Sequence, residues 1–309
     1  MIASDRPRRR RGATALLLAV ALTGVAACGD DENEPATSPA APAATAPKAP
    51  PTVTLNASAQ GKDNIVLEAP AEVAAGLVTL ALKNADSRPR EAQLVRVTGD
   101  QTVEQVLEIR ESEDGGATPD WFVVAGGVAT VAPGQTAKVT QTLAPGTYYA
   151  IDAGKDGPPD NPKIPSYARL GATARFVVTG PETAGELPEA PASISAREHE
   201  FEITGLKAGR NQVRFENTGS EPHHAILFPL LEGKTAADAV KFLESERPSG
   251  PPPVDFRGGT GTTALEGGTE QVAELELRAG KYAVVCFLTD RKGGKQHLAK
   301  GQVAEVTVG

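Results

Sequence analysis

The residues best suited to chemistry lie in the last third of the chain. All four histidines, His199, His223, His224 and His297, occur there together with Cys286, one of two cysteines in the sequence. A soft thiolate combined with two imidazoles is a donor set that suits copper, typically in a trigonal site with a weak axial ligand. The sequence therefore predicts that any metal chemistry of this chain is confined to this region.

The other cysteine, Cys28, stands in a different context. Five arginines occur before residue 12, and an apolar run from 13 to 27 follows them. This order describes a secretory signal, and the run is shorter than the ~20 residues of a spanning helix. The tetrapeptide VAAC that ends at Cys28 resembles the bacterial lipobox. The resemblance implies that 1–27 is a signal peptide and that Cys28 becomes the lipidated first residue, acylated for example with palmitate.

Removal of the signal changes the charge of the chain. Residues 1–27 contain five arginines and one aspartate, so the net charge falls from −8 to −12. An acidic chain does not bind nucleic acid by neutralising phosphates, and it is not attracted to anionic lipid. We therefore expect no nucleic-acid partner and a membrane attachment that depends on the lipid. Residues 28–52, rich in proline and alanine, are expected to form a disordered tether on the extracytoplasmic side.

Length and composition predict two β-rich domains. A chain of 309 residues with 32 glycines and 25 prolines is long enough for two domains and is unlike a helical protein. A faint internal repeat supports this division, since Asn84–Val106 matches Asn217–Val240 at an offset of 133 residues. We place the domains at 53–180 and 192–309, with a linker at 181–191.

Each domain is expected to contain mainly short strands. Alternating apolar residues indicate the strands, and Pro-Gly turn signals separate them. A capping box begins one helix in each domain, at Thr102 and at Thr235. Antiparallel strands with one inserted helix predict an all-β fold of two Greek-key β-sandwiches, each with one short helix.

The second domain resembles the cupredoxins, the family of blue-copper proteins, over most of 193–309. Pro222-His223-His224 resembles the segment that supplies the first histidine ligand, Gly280–Cys286 resembles the strand that ends in the cysteine ligand, and His297–Val308 resembles the stretch from the second histidine to the final strand. The resemblance implies copper held by His223, Cys286 and His297. The resemblance also implies that the axial position falls on Gln302, a residue type that stellacyanin-type cupredoxins use there. A methionine ligand is excluded because the expected mature chain has no methionine.

One departure from the family concerns the loop between two of these ligands. Ten residues separate Cys286 from His297, where cupredoxins have a short loop. A hairpin centred on Lys292-Gly293 would place Leu288 opposite His297 and bring the ligands within reach of each other. A register shift of one residue would turn His297 to the other face.

The first domain keeps the frame of the repeat without its ligands. Arg90 stands at the position of His223, Asp152 at that of Cys286, Tyr167 near that of His297 and Ala172 at that of Gln302. No soft ligand remains, so we expect a degenerate cupredoxin-like domain with a structural or docking role.

Simpler explanations stay open for each candidate ligand. A lone cysteine such as Cys286 in an apolar strand is usually a small buried hydrophobe, and His223 and His297 could be polar loop residues. His224 is expected to make a secondary contact beside the ligands or a surface contact, although it and His223 could exchange roles. His199 is expected to lie on an exposed strand face.

Two functions therefore remain. The first is electron transfer or copper handling with a redox or envelope protein as partner, the electron passing by the edge of His223 or His297. The alternative is a metal-free module for protein contacts at the envelope. The sequence contains no GxSxG, HExxH or P-loop motif and predicts no enzyme.

Overall fold

The computed structural model describes residues 49–111, 116–157, 161, 163–183, 185–245 and 247–309. The predicted signal peptide, the lipidated Cys28 and nearly all of the tether lie outside these residues and stay predictions. Residues 48–309 form one compact unit. Among the described residues, no helix is long and apolar enough to span a membrane.

The first half of this unit is a β-sandwich with one helix. In chain order it contains β1 (Thr52–Ala59), β2 (Ile65–Glu68), β3 (Glu72–Asn84), β4 (Arg90–Val97), α1 (Val103–Arg110), β5 (Phe122–Val131), β6 (Thr136–Leu143), β7 (Gly146–Ile151) and β8 (Thr173–Thr183). One layer has the order β2-β1-β3-β6, and the other has the order β8-β7-β4-β5. Fully buried Leu55, Leu82 and Leu94 lie in the core between the layers.

The second half repeats this plan element by element. It contains β9 (Ala192–Arg197), β10 (Glu200–Thr204), β11 (Gly209–Asn217), β12 (Ile226–Pro229), α2 (Ala236–Leu243), β13 (Thr260–Gly261), β14 (Glu270–Leu277), β15 (Gly280–Val285) and β16 (Val303–Val308). The layers are β10-β9-β11-β14 and β13-β12-β15-β16, the same pairings as in the first half. The predicted all-β fold of two sandwiches, each with one short helix, is therefore confirmed.

Strand β3 differs from its counterpart because it belongs to both layers. Its first residues pair with β8 and its later residues with β6, and the pairing shifts between Ala74 and Gly76. Gly76 has φ +110°, and a Cβ there would lie 2.1 Å from Oγ1 and 2.6 Å from the backbone N of Thr183. Glycine is thus required where the strand crosses between the layers.

The two sandwiches are joined by backbone pairing and by a buried glutamine. Strands β6 and β14 are antiparallel neighbours, which makes one sheet continuous through both halves. In the first sandwich the Gln93 amide donates to the Ala264 carbonyl at 3.1 Å, and its Oε1 accepts from the Ala264 N–H at 2.7 Å. These bonds hold the middle of β4 against the segment that precedes β14.

Both predicted helix starts are present. Thr102 caps α1 and Thr235 caps α2. Each threonine hydroxyl accepts a hydrogen bond from the backbone N–H of the third helical residue, and the side chain of that residue accepts one from the backbone N–H of the threonine. Such reciprocal bonds satisfy two N–H groups of the first turn that have no partner within the helix.

We expect Gly76→Ala to destabilise the chain far more than Gly134→Ala. Both glycines have positive φ, but a Cβ at Gly134 would meet nothing within 4 Å. The backbone conformation alone costs alanine about 1 kcal/mol, whereas Gly76→Ala adds a clash with Thr183. Denaturant unfolding of both variants measures the difference. Equal destabilisation would show that the crossing of β3 tolerates a side chain.

Candidate metal centre

Three predicted ligands meet at one buried point in the second sandwich. His223 Nδ1 lies 3.9 Å from Cys286 Sγ and 3.1 Å from His297 Nδ1, and Cys286 Sγ lies 3.5 Å from His297 Nδ1. All three residues are fully buried. A point about 2 Å from each atom exists in their plane, and this is an ordinary metal–imidazole bond length. Within the described residues this group could hold a metal ion.

Asn217, at the end of β11, shapes the loop that presents His223. Its amide nitrogen donates to the carbonyls of Glu221 at 2.8 Å and Leu265 at 2.9 Å, and its Oδ1 accepts from the Gly219 N–H. His223 itself exchanges two backbone hydrogen bonds with Leu265. Asn217 corresponds to Asn84 in the repeat, but the sequence pattern alone indicates no role for either asparagine.

The backbone after β15 brings Cys286 and His297 together. The Leu298 N–H donates to the Cys286 carbonyl at 2.9 Å, and the His297 N–H donates to the Leu288 carbonyl at 2.7 Å. The predicted pairing of Leu288 with His297 is therefore present. The hairpin differs in detail, because the turn bond joins Gly293 to Asp290 and His297 begins a 3₁₀ helix, His297–Lys300.

Burial sets the protonation of the three side chains. It lowers the pKa of His223 to about 4, with the neighbouring His297 adding to the effect. Burial also lowers the pKa of His297, against the opposing effect of the Asp290 carboxylate. Both imidazoles are neutral at pH 7 and can offer a lone pair. Burial raises the pKa of Cys286 to about 12, so a cation must displace the thiol proton to bind there.

Gln302, the predicted axial residue, is fully buried and unpaired. Neither its Oε1 nor its Nε2 has a hydrogen-bond partner, and the same is true of His223 Nε2. Its backbone N–H donates to the His297 carbonyl at 2.9 Å, which places it next to the site. Buried amides without partners are rare and costly, so an amide oxygen available to a cation fits a metal centre.

The other two histidines lie close to the centre without joining it. His224 Nε2 accepts from the Phe287 N–H at 2.9 Å, which is the expected secondary contact. The prediction for His199 was wrong, because His199 lies in the turn between β9 and β10. Its ring is half-buried, 5.8 Å from the His297 ring. The expected edge path requires a ring edge at the surface, but His223 and His297 expose no surface.

The first sandwich has the same backbone but different side chains at this place. The Ala168 N–H donates to Asp152, the Tyr167 N–H to Gly154 and the Ala172 N–H to Tyr167, reproducing the bonds around Cys286, His297 and Gln302. Asn84 likewise donates to Arg88 and Val131. The predicted correspondence of Arg90, Asp152, Tyr167 and Ala172 with the ligand positions is therefore confirmed.

A buried guanidinium fills the first sandwich where the second has its ligands. Arg90 is paired with Asp86 through Nε at 2.9 Å and with Asp152 at 3.3 Å, and it lies 3.8 Å from the centroid of the Tyr167 ring. Burial and the charge of Glu91 raise the pKa of Asp152 to about 7, against the effect of Arg90. Burial also acts to raise the pKa of Asp86, but the bonds and charge of Arg90 and Arg88 prevail and hold it at about 2. Asp86 is thus the stronger counter-ion.

We expect Asp86→Asn to cost the chain about 2 kcal/mol at pH 7, because an ionised partner of buried Arg90 is lost. The folded pKa of Asp86 is below its ordinary value, so its stabilisation is present above pH 4. It is lost as the pH falls towards 2. Unfolding of wild type and Asp86→Asn across this range measures it, with Glu270→Gln in a half-exposed ion pair as control. A constant difference down to pH 2 would contradict this assignment.

Comparison with known proteins gives matches at the level of structure. No protein-family model matches the chain, and no curated protein matches it. Among solved structures, a multicopper oxidase is 14% identical with a TM-score of 0.22, covering 84% of this chain and 88% of its own. Auracyanin B is 21% identical with a TM-score of 0.26, covering 40% and 93%. A copper nitrite reductase from Nitrosomonas europaea is 17% identical with a TM-score of 0.25, covering 84% and 94%.

Two of these similar proteins, the multicopper oxidase and the nitrite reductase, are named for copper. The His223–Cys286–His297 cluster of this chain could bind copper. The fold is the all-β fold of two sandwiches expected from the sequence. The assignment of the site to a metal depends on the donor atoms of this chain.

Proposed function

We propose that this chain binds one copper ion in its second sandwich and uses it for electron transfer or copper handling. The supporting observation is the buried triangle of His223 Nδ1, Cys286 Sγ and His297 Nδ1, with sides of 3.1 to 3.9 Å. Two imidazoles and a thiolate in one plane are the donor set of blue-copper sites. Gln302 would supply the weak axial oxygen.

Electron transfer fits this site better than chemistry on a bound substrate. All three donors are fully buried, so a substrate has no access to the ion as the site stands. A buried site whose ligands are fixed by the surrounding protein holds them in similar positions in both oxidation states of the metal. The proposed partner is therefore a redox protein rather than a small molecule.

We further propose that the protein is secreted and held at the outer face of the membrane by a lipid on Cys28. The support is the order of basic, apolar and small residues before Cys28, followed by a tether rich in proline. One acyl chain gives marginal binding, so lasting attachment requires the several chains of a lipoprotein anchor.

Addition of Cu(II) to the metal-free protein should produce an intense visible thiolate-to-copper band and raise the melting temperature. A ligand that binds only the folded state stabilises it by about 2.7 kcal/mol at a concentration of 100 Kd. Cys286→Ser should abolish the band. A wild-type protein without the band and without a shift in melting temperature would contradict copper binding and favour the metal-free module.

Cys28→Ser is the matched partner of this variant and should have the opposite effects. It should release the protein from the membrane fraction, because the acylated side chain is lost, and leave the copper band unchanged. Cys286→Ser should remain in the membrane fraction. Fractionation of cells that produce each variant measures attachment. Cys28→Ser protein that stays membrane-bound would contradict the lipid anchor.

A further inference from the structure

The loop Phe287–Gln296, called here the ligand loop, touches the candidate site through Asp290. Asp290 Oδ1 lies 3.0 Å from His297 Nε2, and its Oδ2 lies 2.6 Å from Lys300 Nζ. The two carboxylate oxygens therefore contact His297 and Lys300 at the same time, and these two residues are the first and last of the 3₁₀ helix. An ionised carboxylate accepts the Nε2 proton, which leaves the Nδ1 lone pair of His297 facing Cys286.

The next residue, Arg291, anchors the ligand loop to both sandwiches. Its guanidinium donates to Glu266 Oε1 at 2.9 Å and Oε2 at 3.0 Å in the second sandwich. The same group donates to the carbonyls of Pro119 at 2.9 Å and Phe122 at 3.0 Å, in the first sandwich. The forked shape of a guanidinium allows it to hold a carboxylate and two carbonyls at once.

The backbone of Arg291 is held as firmly as its side chain. Its N–H donates to Glu221 Oε2 at 2.6 Å, and its carbonyl accepts from the Thr118 N–H at 2.6 Å. Glu221 is two residues before His223, so the anchor also touches the segment that presents the other histidine. Arg291 thus connects the first sandwich to the segments carrying both imidazole donors.

We propose that Arg291 is a positioning residue through which the first sandwich fixes the tautomer and orientation of His297. The described residues of the first sandwich include none of the candidate metal ligands. This sandwich would then stabilise the geometry of the site in the second. This inference rests on the proposed copper function, but its first consequence concerns the metal-free protein. Loss of the anchor should free Asp290 to leave His297, so that the imidazole samples both tautomers.

The test compares Arg291→Ala with Lys292→Ala in the full-length chain. Lys292 is the neighbouring cation in the same loop and is exposed, so its removal takes away the same charge without the anchor. Imidazole ¹⁵N NMR of the metal-free proteins should show His297 protonated at Nε2 in wild type and Lys292→Ala. Arg291→Ala should show a mixture of tautomers or an exchange-broadened signal. Arg291→Lys, which keeps the charge but not the fork, should be intermediate.

Copper titration of the same variants gives the second measurement. Arg291→Ala should bind Cu(II) at least 10-fold more weakly than Lys292→Ala, with a shifted thiolate band, because partners of a ligand commonly contribute 10- to 100-fold in affinity. An Arg291→Ala protein with the wild-type tautomer would overturn the inference even if copper binds. If wild type binds no copper but Arg291→Ala alone changes the tautomer, the copper function fails and the positioning role stands. An unfolded Arg291→Ala protein leaves Arg291→Lys to decide, and a wild-type tautomer there overturns the inference.

Discussion

The burial of polar groups without partners is the constraint on which the second sandwich depends. His223, Cys286, His297 and Gln302 all expose no surface. Three of their nitrogen and oxygen atoms, His223 Nε2, Gln302 Nε2 and Gln302 Oε1, have no hydrogen-bond partner. A buried polar group left unpaired costs about 1–3 kcal/mol. The protonated Cys286 thiol can donate to only one imidazole nitrogen at a time. Once the thiol is ionised, the sulfur and the two imidazole lone pairs are all acceptors and cannot satisfy one another. A cation at their centre removes the conflict, and the Asn217 loop and the ligand loop keep these atoms in place for it.

The first sandwich meets the same constraint with a cation of its own. The backbone bonds are the same in both halves, yet Arg90 occupies the place where the second sandwich gathers its ligands. Its positive charge is part of the chain, and Asp86, Asp152 and the face of Tyr167 surround it. A covalently attached cation cannot dissociate, so this half needs no metal for its stability. The duplication therefore gave one copy a permanent ion and left the other a set of donors.

The sequence predicted the parts of this arrangement that depend on local pattern. The capping boxes at Thr102 and Thr235 and the repeat followed from residue type and spacing. The set of candidate ligands followed from the resemblance to cupredoxins. The covering of His297 could not be predicted in this way, because it arises from contacts between Arg291 and carbonyls some 170 residues earlier in the chain. In the sequence, the ligand loop differs from cupredoxins only in its greater length, and that length does not indicate what the loop contacts. The position of His199 was missed because a turn at Glu198, where φ is +42°, interrupts the expected strand.

The burial of the site helps to distinguish the two roles proposed for copper, electron transfer and copper handling. Delivery of copper to another protein requires ligand exchange, and hence exposure of at least one donor atom. Here both histidines are fully buried, and the ligand loop that covers His297 is held by Arg291 through both sandwiches. Opening that loop would break several charge-assisted bonds at once, each worth about 1.5–3 kcal/mol. An electron needs no such opening, and the half-buried His199 has its ring 5.8 Å from that of His297. Within the proposed copper function, the depth of the site therefore supports a carrier of electrons over a carrier of copper ions.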